Sequence, residues 1–346
     1  MNRSVKRMIL RALDLTGLPS LLPHLGGNRM WTPCYHGVVS ESKANSREGY
    51  ENTVSSAEFA QHLEWLGRHY RFVDLAGALE WMERPRPGRP PVLISFDDGY
   101  RNNLSLAAPL LLRFGAPAIF FLSTGYIGGK RLLWPLELDA RLEQSPGVEI
   151  GRPEQPQART KIPAGRKERA ALAWQLRLEL KGLPNARRLD YLQSLAACTN
   201  LDLARVDHEL HDFLTWDEAR RLAGLGFDIG SHSCEHPILS RLDAAELRTE
   251  LQDSKDSIEA ELGRAVTTIA YPNGGAADYS PKVMEMAQAC GYNSAFAVDE
   301  AFQIPWGLAG AGQRYGLSRM IVQGHLPIAQ FRFLASGARN LLNRQS

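Results

Sequence analysis

Residues 91–99 read Pro91-Val92-Leu93-Ile94-Ser95-Phe96-Asp97-Asp98-Gly99, and a little further on stands Ala118-Ile119-Phe120-Phe121-Leu122. The first is a short apolar run that stops at two carboxylates and a glycine, as a buried strand ending in a turn does. The second is another buried strand. Between them apolar residues recur at helical spacing over 104–112, and Gly115 ends the pattern. A strand, a helix and a second strand in that order make a βαβ unit, whose strands lie parallel.

The same alternation continues on both sides. Ser55-x-x-Glu58 is a capping-box pattern followed by Phe59, Leu63 and Leu66; Thr215-x-x-Glu218 opens another helix that stops near Gly224 and Gly226. Phe227-Asp228-Ile229-Gly230 reads as a strand leading into Ser231-His232. A long helix is expected over 243–262, a strand at Val266-Thr267-Thr268-Ile269-Ala270, a helix over 280–290 and a strand over 294–298. The fold class is therefore α/β with a mainly parallel sheet, open or closed into a barrel. The alternation breaks at 126–214. Residues 144–166, rich in Pro, Gly and charge, read as an exposed loop, and 167–213 as amphipathic helix. The expected organisation is a basic amphipathic segment at 1–30, a catalytic domain in two parts at 31–125 and 215–330, an insertion at 126–214 and a tail at 331–346.

The chain has 346 residues, 44% hydrophobic and 23% charged, with a net charge of +2. This is globular composition, and the balance of charge gives no global reason to bind nucleic acid. Four cysteines, Cys34, Cys198, Cys234 and Cys290, match neither a zinc-finger spacing nor a disulfide framework. At the N-terminus, Arg3, Lys6, Arg7 and Arg11 lie among Val5, Met8, Ile9, Leu13 and Leu15. Arg11 and Asp14 interrupt the apolar run, which is short of a membrane span and lacks the marks of a signal peptide. Such a helix usually docks on its own domain; it is also of the kind that lies in a membrane interface near anionic lipid. The expected location is cytoplasmic, peripheral at the inner face of the membrane.

Three polar clusters each follow an expected strand, the edge where parallel α/β folds assemble active sites. They are Ser95 to Gly99, then Ser231-His232-Ser233-Cys234-Glu235-His236-Pro237, then Ala270-Tyr271-Pro272-Asn273-Gly274. Singly each is weak. Adjacent Asp before Gly is a common turn. Nine His in 346 residues give about 0.2 pairs at i, i+4 by chance, and the helical-face reading of such a pair needs context. Together they are informative. Two His and one Asp supply three ligands to a divalent ion and leave positions open, and a second Asp beside the ligand is placed to act as base. The same triad also suits a non-heme iron oxygenase, which the second Asp argues against.

At these residues the sequence resembles the polysaccharide deacetylases, the NodB-homology group of carbohydrate esterases. Their T-F-D-D-G motif is met at Ser95 to Gly99, their H-S/T-x-x-H-P motif at His232 to Pro237, and a Y-P-x-G variant of their third motif at Tyr271 to Gly274. The resemblance spans about residues 31–125 and 215–325. It implies a distorted (β/α) barrel with a largely helical insertion, and hydrolysis of the N-acetyl group of an amino sugar in a polysaccharide or lipid-linked glycan, in surface polysaccharide (exopolysaccharide) biosynthesis. The cofactor it implies is a divalent metal, Zn2+ first, on Asp98, His232 and His236. Asp97 becomes the general base and the backbone N–H of Asn273 the oxyanion donor. The Arg that many members carry in the third motif is replaced by Ala270, with Arg314 and Arg319 as alternative cations. The general acid falls to His36, in Cys34-Tyr35-His36-Gly37, over His325. A hydrolase of another acyl or cyclic amide, deformylase-like, and an inactive glycan-binding homologue are the alternatives. Cys234, the His208/His211 pair, and Trp134, Trp216 and Trp306 are read as structural.

Overall fold

The computed structural model describes residues 16–25, 29–44, 52–155, 157–299, 301–302, 314–324 and 326–337. Its centre is a seven-stranded, all-parallel sheet. In chain order the strands are β1 (Pro33–Tyr35), β2 (Ile94–Phe96), β3 (Ala118–Leu122), β4 (Asp228–Ser231), β5 (Thr268–Ala270), β6 (Ser294–Phe296) and β7 (Met320–Ile321). Their spatial order is β6-β5-β4-β3-β2-β1-β7. Successive strands are neighbours as far as β6, and the last strand lies beside the first. Leu317 pairs with Phe296 of β6, exchanging hydrogen bonds of 2.7 and 2.8 Å with Ala297 and Ala295, while Met320 and Ile321 pair with Pro33 and Cys34 of β1. One short segment thus joins both edges of the curled sheet, which leaves the barrel distorted rather than evenly closed.

The strand alternation sorts the core into two layers. Phe96, Phe120, Ile229, Ile269 and Ala295 pack under the surrounding helices, among them Ser56–His69, Ala108–Arg113, Trp216–Gly224, Ala244–Leu262 and Pro281–Ala289. Leu93, Ile119, Phe121, Ala270, Phe296 and Leu317 point the other way, against Leu75, Ala78, Trp81 and Met82 of the helix Leu75–Glu83. That helix plugs the end of the barrel where the strands begin: the Leu75 N–H donates to Asp228 at the start of β4, 2.8 Å away. The chemistry-bearing loops occupy the opposite end.

The capping boxes form at Ser55/Glu58 and Thr215/Glu218, and a third forms at Asp243/Glu246. The run 91–96 divides: Pro91–Val92 pairs with Arg71–Phe72, and only Ile94–Phe96 enters the main sheet. The helix that follows begins as a π-helical turn at Asn103–Ala107. In place of the exposed loop expected at 144–166, an antiparallel hairpin pairs Glu149–Gly151 with Arg159–Lys161; Ile150 and Ile162, buried in the insertion's own core, hold it down. That core also includes Trp134, Leu138, Leu172, Leu176, Leu180, Tyr191 and Leu195, and is separate from those of the barrel. Among the described residues no helix is long and apolar enough to cross a membrane. Residues 1–15, His325 and Trp306 lie outside the described residues.

Candidate metal and catalytic site

The three clusters meet at one end of the sheet, tied together by backbone hydrogen bonds. Asp97 N–H donates to Tyr35 O (2.9 Å), Ser123 N–H to Asp98 O (3.3 Å), His232 N–H to Leu122 O (2.8 Å) and Thr124 N–H to Ser233 O (3.0 Å). These bonds link the ends of β1, β2, β3 and β4. Four non-glycine residues among those described have left-handed backbones, and all lie in the three motifs: Asp98 (φ 75°), Ser233 (63°), His236 (52°) and Asn273 (60°). Such conformations cost energy and concentrate at functional sites. The turn at Asp98-Gly99 reverses the chain directly after β2, so that adjacent carboxylates face different partners.

Asp98 Oδ1 lies 3.6 Å from His232 Nε2 and 3.5 Å from His236 Nε2. One ligand atom from each of the three residues falls within 4.8 Å of the others, and all three residues are buried. Two ligand atoms held tetrahedrally at about 2.1 Å from one ion stand about 3.4 Å apart, so the spacing fits a single divalent ion. The hydrogen bonding fits as well. His232 Nδ1 donates to Ala270 O at 2.7 Å, which turns the Nε2 lone pair toward Asp98. Asp98 Oδ1 is buried without a hydrogen-bond partner. Burial and then the charge of Asp97 push the Asp98 carboxyl up to about 8. Burial also keeps both His232 and His236 neutral, the form that ligates metal.

The histidines do not share a helical face. Residues 232–238 form a loop, and the left-handed backbone at Ser233 and His236 folds the second imidazole back beside the first, with ring centroids 4.9 Å apart. Glu250, on the helix Ala244–Leu262, holds this loop: its Oε2 accepts from the N–H groups of Cys234 (2.9 Å) and Glu235 (3.0 Å). Nothing in the sequence marks Glu250 for that task. Cys234 itself contacts Thr124 Oγ1 at 3.4 Å and is outside the metal cluster.

Asp97 sits beside the cluster, its Oδ2 3.8 Å from His232 Nε2. Both of its oxygens are gripped by Arg319, at 2.5 Å and 2.9 Å, and the Cys34 thiol donates to Oδ2 from 3.3 Å. Burial would raise the Asp97 carboxyl, but the Arg319 guanidinium outweighs it and holds the group well below the usual carboxylate range. Arg319 is fully buried, stacked over Phe121 at 5.2 Å and Phe296 at 6.0 Å. The cation that Ala270 cannot supply therefore arrives from the segment entering β7. Arg314 is elsewhere, on the surface, paired with Glu83 at 2.7 Å.

His36 follows β1 and interacts electrostatically with Asp97, His232 and Arg319; its Nδ1 is buried and unpartnered. Burial pushes its imidazole down to about 4. Asn273 stands in the turn after β5, with Nδ2 buried and unpartnered. In the insertion, His208 pairs with Asp212 at 2.9 Å and His211 is buried; neither joins a metal cluster among the described residues. Trp134 lies in the insertion core and Trp216 packs on the barrel core.

Residues 191–295 match the profile of the family described as polysaccharide deacetylase. Over that stretch the chain is similar to that family. The match takes in His232, His236 and the Tyr271–Gly274 turn, while Asp97, Asp98, His36 and Arg319 join the site by geometry. Over 101 residues the chain is 31% identical to YxkH of Bacillus subtilis (strain 168), itself named provisionally as a polysaccharide deacetylase; that stretch is 29% of this chain and 33% of YxkH. The polysaccharide deacetylase fold is also that of the Streptococcus pyogenes deacetylase PplD (TM-score 0.56, 15% identity, covering 88% of this chain and 96% of PplD). IcaB from Ammonifex degensii has it too (0.53, 18%, 90% and 98%), as does the de-N-acetylase from Aggregatibacter actinomycetemcomitans (0.55, 17%, 89% and 100%).

Proposed function

We propose that this protein is a metal-dependent deacetylase that hydrolyses the N-acetyl group of an amino sugar in a polysaccharide or lipid-linked glycan. Its place would be in surface polysaccharide biosynthesis, on the cytoplasmic side of the membrane. The observation that carries the reading is the pairing of two functions at one sheet edge. Asp98, His232 and His236 are spaced to share one ion, and a second, ionised carboxylate, Asp97, is locked beside them by Arg319.

The donor set suits Zn2+. A divalent ion held there supplies Lewis-acid polarisation of the acetyl carbonyl and lowers the pKa of water toward about 7. The protein's own groups do the rest. Asp97 is ionised at rest, so it is ready to take the proton of the attacking water. Arg319 fixes its orientation through both oxygens, and the buried surroundings keep bulk water from competing. The backbone N–H of Asn273 is the donor for the developing oxyanion. His36 is neutral at rest; the proton that Asp97 takes from the attacking water passes to it, and its low affinity for that proton lets it hand it on to the leaving amine, which balances the hydrolysis.

The test is acetate release from N-acetylated glycans with and without chelator. Asp98→Ala, His232→Ala and His236→Ala are expected to lose bound metal. Asp97→Asn keeps metal and loses about 100-fold or more in turnover. Retention of most activity by Asp97→Asn, or acetate release indifferent to chelator, removes the mechanism. Release of formate but never acetate removes the substrate assignment.

A further inference from the structure

The helix Arg166–Gly182 has two apolar faces. Leu172, Ala173, Leu176 and Leu180 fill the insertion core. On the opposite side, at positions i, i+3 and i+7, Ala171, Trp174 and Leu178 form a second stripe that nothing among the described residues covers, with Trp174 56% and Leu178 54% exposed. A solvent-facing helix surface is ordinarily polar. Lys167 and Lys181 flank the stripe at its two ends, and the Arg177 guanidinium lies over the Trp174 ring at 5.7 Å. The helix's two carboxylates, Glu168 and Glu179, fall off the stripe, and Glu179 is tied to Arg152.

The charge around this helix is lopsided. Residues 159–188 contain nine Lys and Arg against two Glu in a chain whose total is +2; Arg169 pairs with Glu143, Arg177 pairs with Asp139 and Arg188 is buried, and the other six stand outside those contacts. We propose that this face of the insertion lies on an anionic lipid surface, with Trp174 and Leu178 entering the headgroup boundary and the surrounding cations meeting lipid phosphate. An exposed Trp beside an aliphatic side chain, flanked by Lys167 and Lys181 with no carboxylate on the stripe itself, is the chemistry of an interfacial helix. A sugar-stacking platform would need hydrogen-bonding side chains at the ring edge, where this helix presents Ala171 and Leu178. The surface is distinct from the basic N-terminal segment and does not depend on the deacetylase reading. It does bear on access: Tyr126 and Arg131, at the start of the insertion, contact Glu235 in the metal loop.

The experiment is co-sedimentation of the full chain with phosphatidylcholine vesicles, with and without phosphatidylglycerol. The wild type is expected to bind only the anionic vesicles. Trp174→Ser/Leu178→Ser and Lys167→Glu should each weaken binding about tenfold, with circular dichroism and thermal midpoint unchanged because these side chains are exposed. Both variants keep the N-terminal segment, so binding equal to wild type in both overturns the proposal and assigns any attachment elsewhere. Equal binding to neutral vesicles overturns it too. So does a wild-type dimer that Trp174→Ser/Leu178→Ser converts to monomer without change in vesicle binding, since the stripe is then a contact between copies of this chain.

Discussion

The site turns on two carboxylates adjacent in sequence and opposite in state. Asp97 is held ionised by a guanidinium that forks onto both oxygens. A Lys keeps the charge but not the fork. Arg319→Lys should therefore leave metal content intact, lower turnover about 10- to 100-fold and reduce stability, which steady-state kinetics and metal analysis on the same sample will show. Asp98 is the reverse case, pushed up to about 8 when no cation faces it. Its folded pKa lies above the unfolded value, so between roughly pH 4 and 8 the native state keeps a proton that the unfolded chain has released, and stability of the metal-free protein falls as pH rises through that window. In chelator, Asp98→Asn should flatten this limb and, near pH 8, resist urea better than wild type by on the order of 1–4 kcal/mol. Added Zn2+ should reverse the ranking, because only wild type gains from binding it. Urea midpoints at pH 5 and pH 8, with chelator and with metal, carry the comparison.

At the scale of elements, the helices are generic and the loops between strand ends are specific. The helix starts at Ser55 and Thr215 were legible because a capping box is local, complete within four residues. So were the strands rich in Ile and Phe. The metal loop was legible in composition but not in shape. Spacing of four between His232 and His236 reads as one helical face, whereas the structure reaches the same juxtaposition through left-handed residues whose strain no propensity reveals. What stabilises that loop comes from a helix: Glu250 accepts two of its N–H groups. Glu250→Gln keeps an acceptor, while Glu250→Leu removes the acceptor of both half-buried donors. The expected outcome is a loss of metal affinity of about 10–100-fold for Glu250→Leu, and much less for Glu250→Gln, by competition with a chelator of known affinity. Equal affinity in all three proteins would mean that the loop holds its ligands unaided.

At the scale of the whole molecule, the pieces farthest apart in sequence matter most. Arg319 lies 222 residues from Asp97 and meets it only because the final segment closes the ring between β6 and β1; no local pattern announces such a contact, and the sequence alone offered Arg314 as readily. The same closure draws the C-terminal helix Ile328–Ala335 onto the helix Ser56–His69. His62 stands at that joint, stacked on Phe331 with ring centroids 3.7 Å apart and hydrogen-bonded through Nδ1 to the Tyr35 hydroxyl at 3.3 Å. Burial pushes its imidazole down to about 3. A histidine that is neutral when folded and free to protonate when unfolded makes the unfolded state bind more protons between about pH 3 and 6.5. Its contribution to stability is full above pH 6.5 and is lost as the pH falls through that window. His62→Phe keeps a ring against Phe331 and removes the titration, though it strips the Tyr35 hydroxyl of its hydrogen-bond partner. The variant should be less stable than wild type at pH 7.5 by about 1–2 kcal/mol, and the gap should close and then change sign as the medium is acidified toward pH 4. Comparing the two proteins at each pH cancels Asp98 and the other buried groups common to both. A gap that stays constant from pH 7.5 to 4 would show that His62 titrates in the fold as it does in the unfolded chain, and that burial at this joint does not hold the imidazole uncharged.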